Sequence, residues 1–175
     1  TEIYTLSLHD ALPISRAEPT DISRIIDCKI DADGSQGEFL VQAAGGSRLP
    51  ASHETVDANQ HTVCMEGNRI FKNAVKSMYA SSDELLKRNN LSTSDVAWVI
   101  PHQANLRIIE ALADKMKVPL RKVIVNIAKY GNTSSATIPL ATDEEIRSQK
   151  IRRGNILLLN SFCAGLTWGS ILASY

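Results

Sequence analysis

The hydrophobic and polar positions along the chain follow two periods, which predict alternating strands and helices. A loose alternation indicates a strand over 22–30, and apolar residues at a spacing of about 3.6 indicate a helix over 65–90. The remaining predicted elements are the strands 96–100, 123–125, 155–162 and 166–173 and the helices 105–117 and 134–149. The order β-α-β-α-β-α-β-β is typical of a layered α/β domain with a mixed sheet.

The connection over 37–63 has no clear period and contains Gly45-Gly46 and Pro50. A connection of this length without secondary structure of its own is uncommon in a compact domain. We therefore expect this segment to carry function or to cover a site. The connection between the last two predicted strands is much shorter, since Cys163-Ala164-Gly165 is a tight run of small residues.

Length and charge exclude several classes of protein. With 175 residues the chain is long enough for one domain with a substantial core. Lys+Arg and Asp+Glu are equal at 19 each, so no overall charge favours nucleic acid or an anionic membrane. The longest apolar run, around 156–159, is too short to cross a bilayer. We therefore expect neither a nucleic-acid nor a membrane partner.

The cysteine pattern predicts a reduced protein without a metal. The 3 cysteines, Cys28, Cys64 and Cys163, are an odd number and form no CxxC pair. Such a set indicates neither a disulfide framework nor a zinc site. We therefore expect a reducing, cytoplasmic setting and no bound metal.

The N-terminal segment 1–15 does not fit the rest of the chain. Its sequence, TEIYTLSLHDALPIS, has no basic start, long apolar centre or small-residue cleavage site, so it does not resemble a signal peptide. It resembles a translated sequencing-adapter segment instead. We therefore expect a non-native tail over 1–15 and one domain over 16–175, and we assign no catalytic role to His9 or Asp10 in the tail.

Two short polar motifs at predicted strand-to-helix junctions are the candidate site. His102 lies in PHQAN (101–105), and Asn132 lies in GNTSSA (131–136). An imidazole can donate to a carbonyl oxygen or transfer a proton near neutral pH, and an Asn amide can donate to an oxygen that gains negative charge. A structural histidine and a simple Gly-Asn turn explain the same residues, so chemistry alone leaves both interpretations open.

Longer motifs resemble one family of enzymes. PHQANLRI over 101–108, GNTSSA over 131–136 and SFCAGLTWGS over 161–170 are similar to the C-terminal half of β-ketoacyl-acyl-carrier-protein synthase III, and MEGNRIFK over 65–72 also fits. The resemblance extends from about Arg24 to Tyr175 and fails over 1–15. It implies a thiolase-like layered α/β/α half with a mixed sheet.

The resemblance implies a condensing enzyme that starts type II fatty acid synthesis. Such enzymes use a Cys-His-Asn triad, in which the Cys takes a short acyl group from acyl-CoA. Malonyl-acyl carrier protein then loses CO2, and the resulting enolate attacks the acyl thioester. No cofactor is implied. The partners implied are acyl-CoA and acyl carrier protein, and the full-length enzyme is expected to be a homodimer.

The resemblance also implies roles for individual residues. His102 and Asn132 match the His and Asn that hydrogen-bond the malonyl thioester carbonyl, and the backbone N–H of Ala164 matches the second oxyanion donor. The positions that match the pantetheine channel are Gly67, Phe71, Ala104 and Asn105, and those that match basic carrier-protein contacts are Lys72, Arg107 and Lys115. For the three basic residues, an ordinary solvated helix face is the alternative.

The nucleophilic Cys of the family has no counterpart in this sequence, because the family places it in an N-terminal half that these residues do not match. Cys28 is expected in the core of a strand, Cys64 precedes a helix, and Cys163 is expected to pack near the oxyanion turn. Two interpretations follow. The chain is an enzyme fragment that is inactive and exposes apolar surface when alone, or a non-catalytic α/β module that binds an acyl carrier or a partner subunit. Retention of both His102 and Asn132 favours the fragment.

Overall fold

The computed structural model describes residues 23–175, so the proposed tail over 1–15 lies outside the described residues. In chain order the strands are β1 (Arg24–Ala32), β2 (Leu40–Gln42), β3 (Val63–Met65), β4 (Trp98–Pro101), β5 (Ile156–Cys163) and β6 (Thr167–Ser174). The α-helices are α1 (His53–Asp57), α2 (Gly67–Arg88), α3 (Leu106–Met116), α4 (Ile127–Tyr130) and α5 (Thr137–Arg147). Short 3-10 helices cover Gly34–Phe39, Leu120–Lys122 and Ser134–Ala136.

Four strands form the main sheet in the order β1-β6-β5-β4, while β2 and β3 form a separate hairpin. Strand β5 is parallel to β4, whereas β6 is antiparallel to both β5 and β1. The sheet is therefore mixed, as the sequence predicts. Its register places Pro101, at the end of β4, beside Asn160 of β5. The chain that follows Pro101 thus starts at the carboxyl edge of two parallel strands, where ligands bind in open α/β sheets.

Helices pack on both faces of this sheet. Because side chains alternate along a strand, Leu158 and Leu172 join the core that α2 and α3 cover. Leu157 and Ile100 point the other way and pack in a second core with Ala141 of α5. The two cores give the α/β/α layering that the resemblance implies.

Among residues 23–175, no helix covers the α5 side of the sheet over β1 and β6. On β1, Ile25 is 68% exposed and Ile30 is 79% exposed, and the neighbouring Ile171 of β6 is also exposed. Ile171 pairs with Cys28 and faces away from the α2 side, because the next residue, Leu172, lies in the α2 core. This strip is an apolar surface of the kind that favours association.

Helices α2 and α3 run parallel, and cation–π contacts join them at two levels. The guanidinium carbon of Arg107 lies 6.0 Å from the centre of the Phe71 ring, and Nζ of Lys115 lies 5.1 Å from the centre of the Tyr79 ring. Both aromatic residues belong to α2 and both cations belong to α3. The two contacts follow the same order along each helix, so the helices point in the same direction.

The strand predicted over 123–125 is wrong. Val123 makes only an isolated parallel bridge to Val99 of β4. A 3-10 helix ends at Lys122 and α4 begins at Ile127, so the chain between them is too short to extend the ladder. Val123 and Ile124 are nevertheless buried, whereas Val125 is exposed.

The connection over 37–63 is not free of secondary structure, contrary to the pattern prediction. It contains β2 and α1 and leads into β3. A capping box begins α1, in which Ser52 and Thr55 hydrogen-bond each other's backbone, and Thr55 Oγ1 also lies 2.9 Å from His61 Nε2. These local polar bonds fold the segment without a clear hydrophobic period. Its expected role in function or in covering a site stays a prediction.

Candidate active site

His102 is positioned by its backbone and by its ring. Its backbone N–H donates to the Asn160 carbonyl oxygen at 2.7 Å, which extends the β4–β5 pairing past the end of β4. Its ring Nδ1 lies 2.7 Å from Oγ1 of Thr137, the first residue of α5. Burial lowers the pKa of the His102 imidazole, so the neutral form is favoured near neutral pH. The structure describes no partner for Nε2 within residues 23–175, so this atom is available to a ligand.

The strand residue that accepts the His102 backbone N–H is itself fixed in the core. Asn160 is fully buried, and its Nδ2 donates to Ser82 Oγ at 2.5 Å and to Ser170 Oγ at 2.9 Å. Ser81 Oγ bonds the same Ser170 hydroxyl at 2.6 Å. This buried polar cluster ties β5 and β6 to α2, and it therefore fixes the strand from which His102 is held.

Gln103 joins the loop after β4 to the chain that leads into α4. Its side chain is fully buried, and Nε2 donates to the carbonyl oxygens of Pro101 at 2.8 Å and Ile124 at 3.1 Å. Its Oε1 accepts from the backbone N–H groups of Asn126 at 2.9 Å and Ile127 at 3.2 Å. Sequence reasoning missed this role, although a Gln directly after a buried strand was a visible signal.

Asn132 lies on an exposed loop between α4 and α5. Gly131 before it has a φ of +70°, in a region that favours glycine. The side-chain Oδ1 of Asn132 accepts from the Ser134 backbone N–H at 3.1 Å, and Ser134 has a φ of +53°. This turn is why a 3-10 helix precedes α5 in the segment predicted as one helix over 134–149. Nδ2 of Asn132 has no partner in the described part of the chain.

The structure brings the segments of His102 and Asn132 together through two links. Thr137 follows the GNTSSA motif directly and contacts the His102 ring. Gln103, beside His102, bonds the backbone just before α4, and α4 ends where the Asn132 loop begins. Within residues 23–175 the two side chains do not hydrogen-bond each other. The arrangement leaves one nitrogen of each, Nε2 of His102 and Nδ2 of Asn132, without a hydrogen-bond partner in the described part of the chain.

Ala164 lies in the exposed turn between β5 and β6. Within residues 23–175 the non-glycine residues with positive φ do not include Ala164, so an alanine fits this position without strain. Its carbonyl oxygen accepts from Thr167 Oγ1 at 3.1 Å. The turn is also tied to Asp33, whose backbone exchanges hydrogen bonds with that of Leu166 at 2.8 and 3.1 Å. The Ala164 N–H has no described role in this network.

The residues implied for a pantetheine channel lie near the first turns of α2 and α3. Gly67 begins α2, and a Cβ built there meets no heavy atom within 4 Å. Phe71 is half-buried on α2, and Ala104 is half-buried in the loop after His102. Asn105 caps α3, since its Oδ1 accepts from the Arg107 backbone N–H at 2.9 Å. Asn105 therefore has a structural role besides any contact with a ligand.

The three basic residues implied for carrier-protein contact are exposed on α2 and α3. Within residues 23–175 no carboxylate pairs with Lys72, Arg107 or Lys115, although eight ion pairs join other side chains there. By contrast, Arg147 on α5 pairs with Asp143 at 2.7 Å. These three cations therefore form no ion pair in the described part of the chain, although α3 also carries Glu110 and Asp114.

The cysteines do not lie where two of the sequence expectations put them. Cys28 and Cys163 are exposed rather than packed, because Cys28 belongs to the open strip over β1 and Cys163 ends β5 at the exposed turn. Cys64 is exposed as well, and all three thiols are free. Among the described residues, no group of His, Cys, Asp and Glu side chains could hold a metal ion. No helix among them is long and apolar enough to cross a membrane.

This fold is similar to solved structures of synthase III enzymes. The 3-oxoacyl-[acyl-carrier-protein] synthase III from Aquifex aeolicus has a TM-score of 0.78 and 40% identity, and the match covers 91% of this chain and 47% of that chain. The synthase III from Thermus thermophilus has a TM-score of 0.78 and 35% identity, and the match covers 93% of this chain and 49% of that chain. The thiolase-like fold class implied by the motifs is therefore confirmed.

The sequence comparisons lead to the same family. The family described as 3-oxoacyl-[acyl-carrier-protein (ACP)] synthase III C terminal matches residues 86–175. The β-ketoacyl-[acyl-carrier-protein] synthase III of Porphyromonas gingivalis is 48% identical over 151 residues, which are 86% of this chain and 44% of the relative. The corresponding synthase III of Roseiflexus castenholzii is 51% identical over 146 residues, which are 83% of this chain and 44% of the relative. The chain belongs to this family, and it spans about half the length of the curated relatives it matches.

Proposed function

We propose that this chain supplies the C-terminal part of a 3-oxoacyl-[acyl-carrier-protein] synthase III. The enzyme would join a short acyl group from acyl-CoA to malonyl-acyl carrier protein at the start of type II fatty acid synthesis. The observation that carries the proposal is the His102 ring, held 2.7 Å from Thr137 with Nε2 unpartnered within residues 23–175, next to the loop of Asn132. Membership of the family supports the same activity.

In this reaction His102 and Asn132 stabilise an enolate. The malonyl thioester binds with its carbonyl oxygen facing Nε2–H of His102 and Nδ2–H of Asn132. When the bond to the carboxylate carbon breaks and CO2 leaves, the electron pair remains on the α-carbon and charge spreads to that oxygen. Two preoriented N–H donors stabilise this charge. Because burial lowers the pKa of His102, the imidazole acts as a neutral donor.

The enolate carbon then attacks the carbonyl carbon of the acyl thioester, and the new C–C bond forms. The backbone N–H of Ala164 is proposed to donate to the oxyanion of the tetrahedral intermediate. Collapse breaks the C–S bond and releases the thiolate of the nucleophilic cysteine. That cysteine belongs to another part of the synthase, because Cys28, Cys64 and Cys163 match no nucleophile of the family.

The two carrier-linked substrates are proposed to approach along α2 and α3. Gly67, Phe71, Ala104 and Asn105 would line the path of the pantetheine arm. Lys72, Arg107 and Lys115, which lack carboxylate partners in the described chain, would face the acidic carrier protein. The full-length enzyme would be a cytoplasmic homodimer without a cofactor, and free thiols fit a reducing compartment.

A non-catalytic module that binds an acyl carrier is the alternative. The exposed Lys72, Arg107 and Lys115, which form no ion pair within residues 23–175, suit either function. A binding module has no use for a neutral, oriented imidazole, whereas His102 has its ring fixed by Thr137. The interpretation as the C-terminal part of an enzyme is therefore the better one.

The test is a chimera in which residues 23–175 replace the matched part of the Porphyromonas gingivalis relative, which is 48% identical. We expect it to form 3-oxoacyl-acyl carrier protein from acetyl-CoA and malonyl-acyl carrier protein. His102→Ala and Asn132→Ala should each lower kcat by about 100- to 1000-fold, since each removes one oxyanion donor. His53→Ala, on α1 outside the site, is the matched control and should leave kcat unchanged.

The isolated chain gives a second measurement. After incubation with acetyl-CoA, mass spectrometry should find no stable acetyl adduct on any of its cysteines. An adduct on the isolated chain, or a folded chimera in which both variants keep full activity, would contradict the proposal.

A further inference from the structure

We propose that Thr137 is a positioning residue that selects the tautomer of His102, because its hydroxyl donates to Nδ1 and so leaves the ring proton on Nε2. This inference rests on the proposed function, in which Nε2–H donates to a substrate oxygen. Thr137 lies outside both polar motifs and outside the implied triad. It also fixes which nitrogen of the imidazole faces the substrate as a donor.

The geometry of the contact is well suited to this role. Oγ1 of Thr137 lies 2.7 Å from Nδ1 of His102, and Thr137 is 2% exposed. Thr137 has helical backbone angles, φ −61° and ψ −46°, as the first residue of α5. A threonine in a helix adopts mainly two χ1 rotamers, and the one present here places the hydroxyl against the ring.

The position of the proton follows from what surrounds the Thr137 hydroxyl. Within residues 23–175, Nδ1 of His102 is the partner that the structure describes for Oγ1. If Nδ1 carried a proton and donated it, the hydroxyl proton would be buried without an acceptor, which is unfavourable. If the hydroxyl donates, its proton is satisfied and Nδ1 acts as an acceptor. A neutral imidazole then carries its proton on Nε2.

The protonation behaviour of His102 agrees with this arrangement. Burial lowers the pKa of the ring, which favours the neutral imidazole. Within the described chain no carboxylate contacts the ring, so nothing there holds a second proton on Nδ1. The neutral Nε2–H tautomer therefore satisfies both the buried hydroxyl and the proposed donor role.

A second threonine of the same loop provides a matched control. Thr133 Oγ1 is also buried but has no hydrogen-bond partner within residues 23–175. Thr133→Val removes a hydroxyl of the same kind that does not touch His102. Thr137→Val removes the proposed donor with little change in volume, and Thr137→Ser retains it.

The experiment records 15N spectra of the 175-residue chain labelled at its histidine rings, in the solid state so that association of the sample does not matter. Subtraction of the spectrum of a His102→Gln sample identifies the signals of His102. We expect an unprotonated, hydrogen-bonded Nδ1 and a protonated Nε2 in the wild type, in Thr133→Val and in Thr137→Ser. In Thr137→Val, the change in the 15N chemical shift of Nδ1 that the hydrogen bond causes should be absent.

A wild-type spectrum with the proton on Nδ1 would overturn the proposal, as would a Thr137→Val spectrum identical to that of Thr133→Val. The wild-type result decides the tautomer even if a variant folds poorly. These spectra need no substrate, so they stay informative if the chimera is inactive and the proposed function fails. In an active chimera, Thr137→Val should lower kcat with KM for the carrier substrate unchanged, and Thr137→Ser should restore it.

Discussion

The loops of His102 and Asn132 bear the two proposed donors, but the protein holds them in different ways. The His102 loop is anchored by a buried strand residue, by the fully buried Gln103 and by the Thr137 hydroxyl. The Asn132 loop is exposed and is shaped by local backbone, with positive φ at Gly131 and a side-chain bond to the next turn. One donor is fixed by tertiary contacts, and the other by its own turn.

Because of this difference, substitutions in the two loops should affect stability and activity to different extents. Changes around His102 disturb buried hydrogen bonds, so they should affect folding as well as activity. Changes at Asn132 remove an exposed carboxamide with one local hydrogen bond, so they should affect activity far more than stability.

The largest expected effect is on stability and comes from Gln103. Gln103→Met leaves two backbone N–H groups and two carbonyl groups without their buried partner. We expect the chimera to lose about 4 kcal/mol of unfolding free energy, given about 1–3 kcal/mol for each unsatisfied buried group and incomplete additivity. Urea unfolding measures this loss.

Asn132→Ala is the matched variant in the other loop, and it should change the free energy of unfolding by less than about 0.5 kcal/mol. Equal losses for the two variants would remove the distinction between the loops.

The next-largest effect concerns α3, which follows the His102 loop, in comparison with α5, which follows the Asn132 loop. Arg107 and Lys115 on α3 have no carboxylate partner within residues 23–175, whereas Arg147 on α5 is paired with Asp143. The double variant Arg107→Ala, Lys115→Ala should raise KM for malonyl-acyl carrier protein by about tenfold with kcat unchanged, and the effect should shrink at high salt. Steady-state kinetics at two ionic strengths measure both. Arg147→Ala is the control, and a similar rise in KM there would contradict a localised docking face.

A smaller effect is a pH dependence of the unfolding free energy that arises from His102. Burial lowers the pKa of its imidazole in the folded protein, whereas the unfolded chain titrates near about 6.5. Between these two pKa values the unfolded chain binds more protons, so the free energy of unfolding falls as pH drops below about 6.5 and levels off below the folded pKa. Urea unfolding across this range measures the slope. The slope should be lost in His102→Gln and kept in Asn132→Ala.

The smallest effect is expected at Ala164. Its φ is not positive, so Ala164→Gly relieves no strain and only adds freedom to the turn. We expect kcat of the chimera to change by less than about twofold and unfolding free energy to fall by about 0.5–1 kcal/mol. A large gain in kcat would mean that the alanine side chain obstructs the oxyanion turn.

The sequence predicts the parts of the fold that hydrophobic periodicity controls. The helix over 65–90 is confirmed as Gly67–Arg88, and the last two strands are confirmed within a residue or two. The prediction of a strand over 123–125 is wrong, because a short apolar run does not show whether the chain there can pair with a neighbouring strand. The segment 37–63 folds through polar capping bonds, which have no hydrophobic period.

The residues of the candidate site also differ in whether the sequence alone indicates them. His102 and Asn132 stand out in sequence because each lies in a short polar motif at a predicted strand-to-helix junction, while their proposed roles stay untested. In the structure the junction of His102 is as predicted, whereas Asn132 lies between the helices α4 and α5. The role of Asn105 as a helix cap follows a known residue preference. The contacts of Gln103 and Thr137 join residues far apart in the chain, so only the folded arrangement reveals them.

The central claim is that His102 and Asn132 of this chain stabilise the enolate of a malonyl thioester. The most direct measurement separates the two half-reactions in the chimera, by following acetyl transfer from acetyl-CoA to the enzyme and CO2 release from malonyl-acyl carrier protein. We predict that His102→Ala and Asn132→Ala keep acetyl transfer within about tenfold of the parent and lower CO2 release by about 100- to 1000-fold. CO2 release at the parent rate in both variants would contradict the claim.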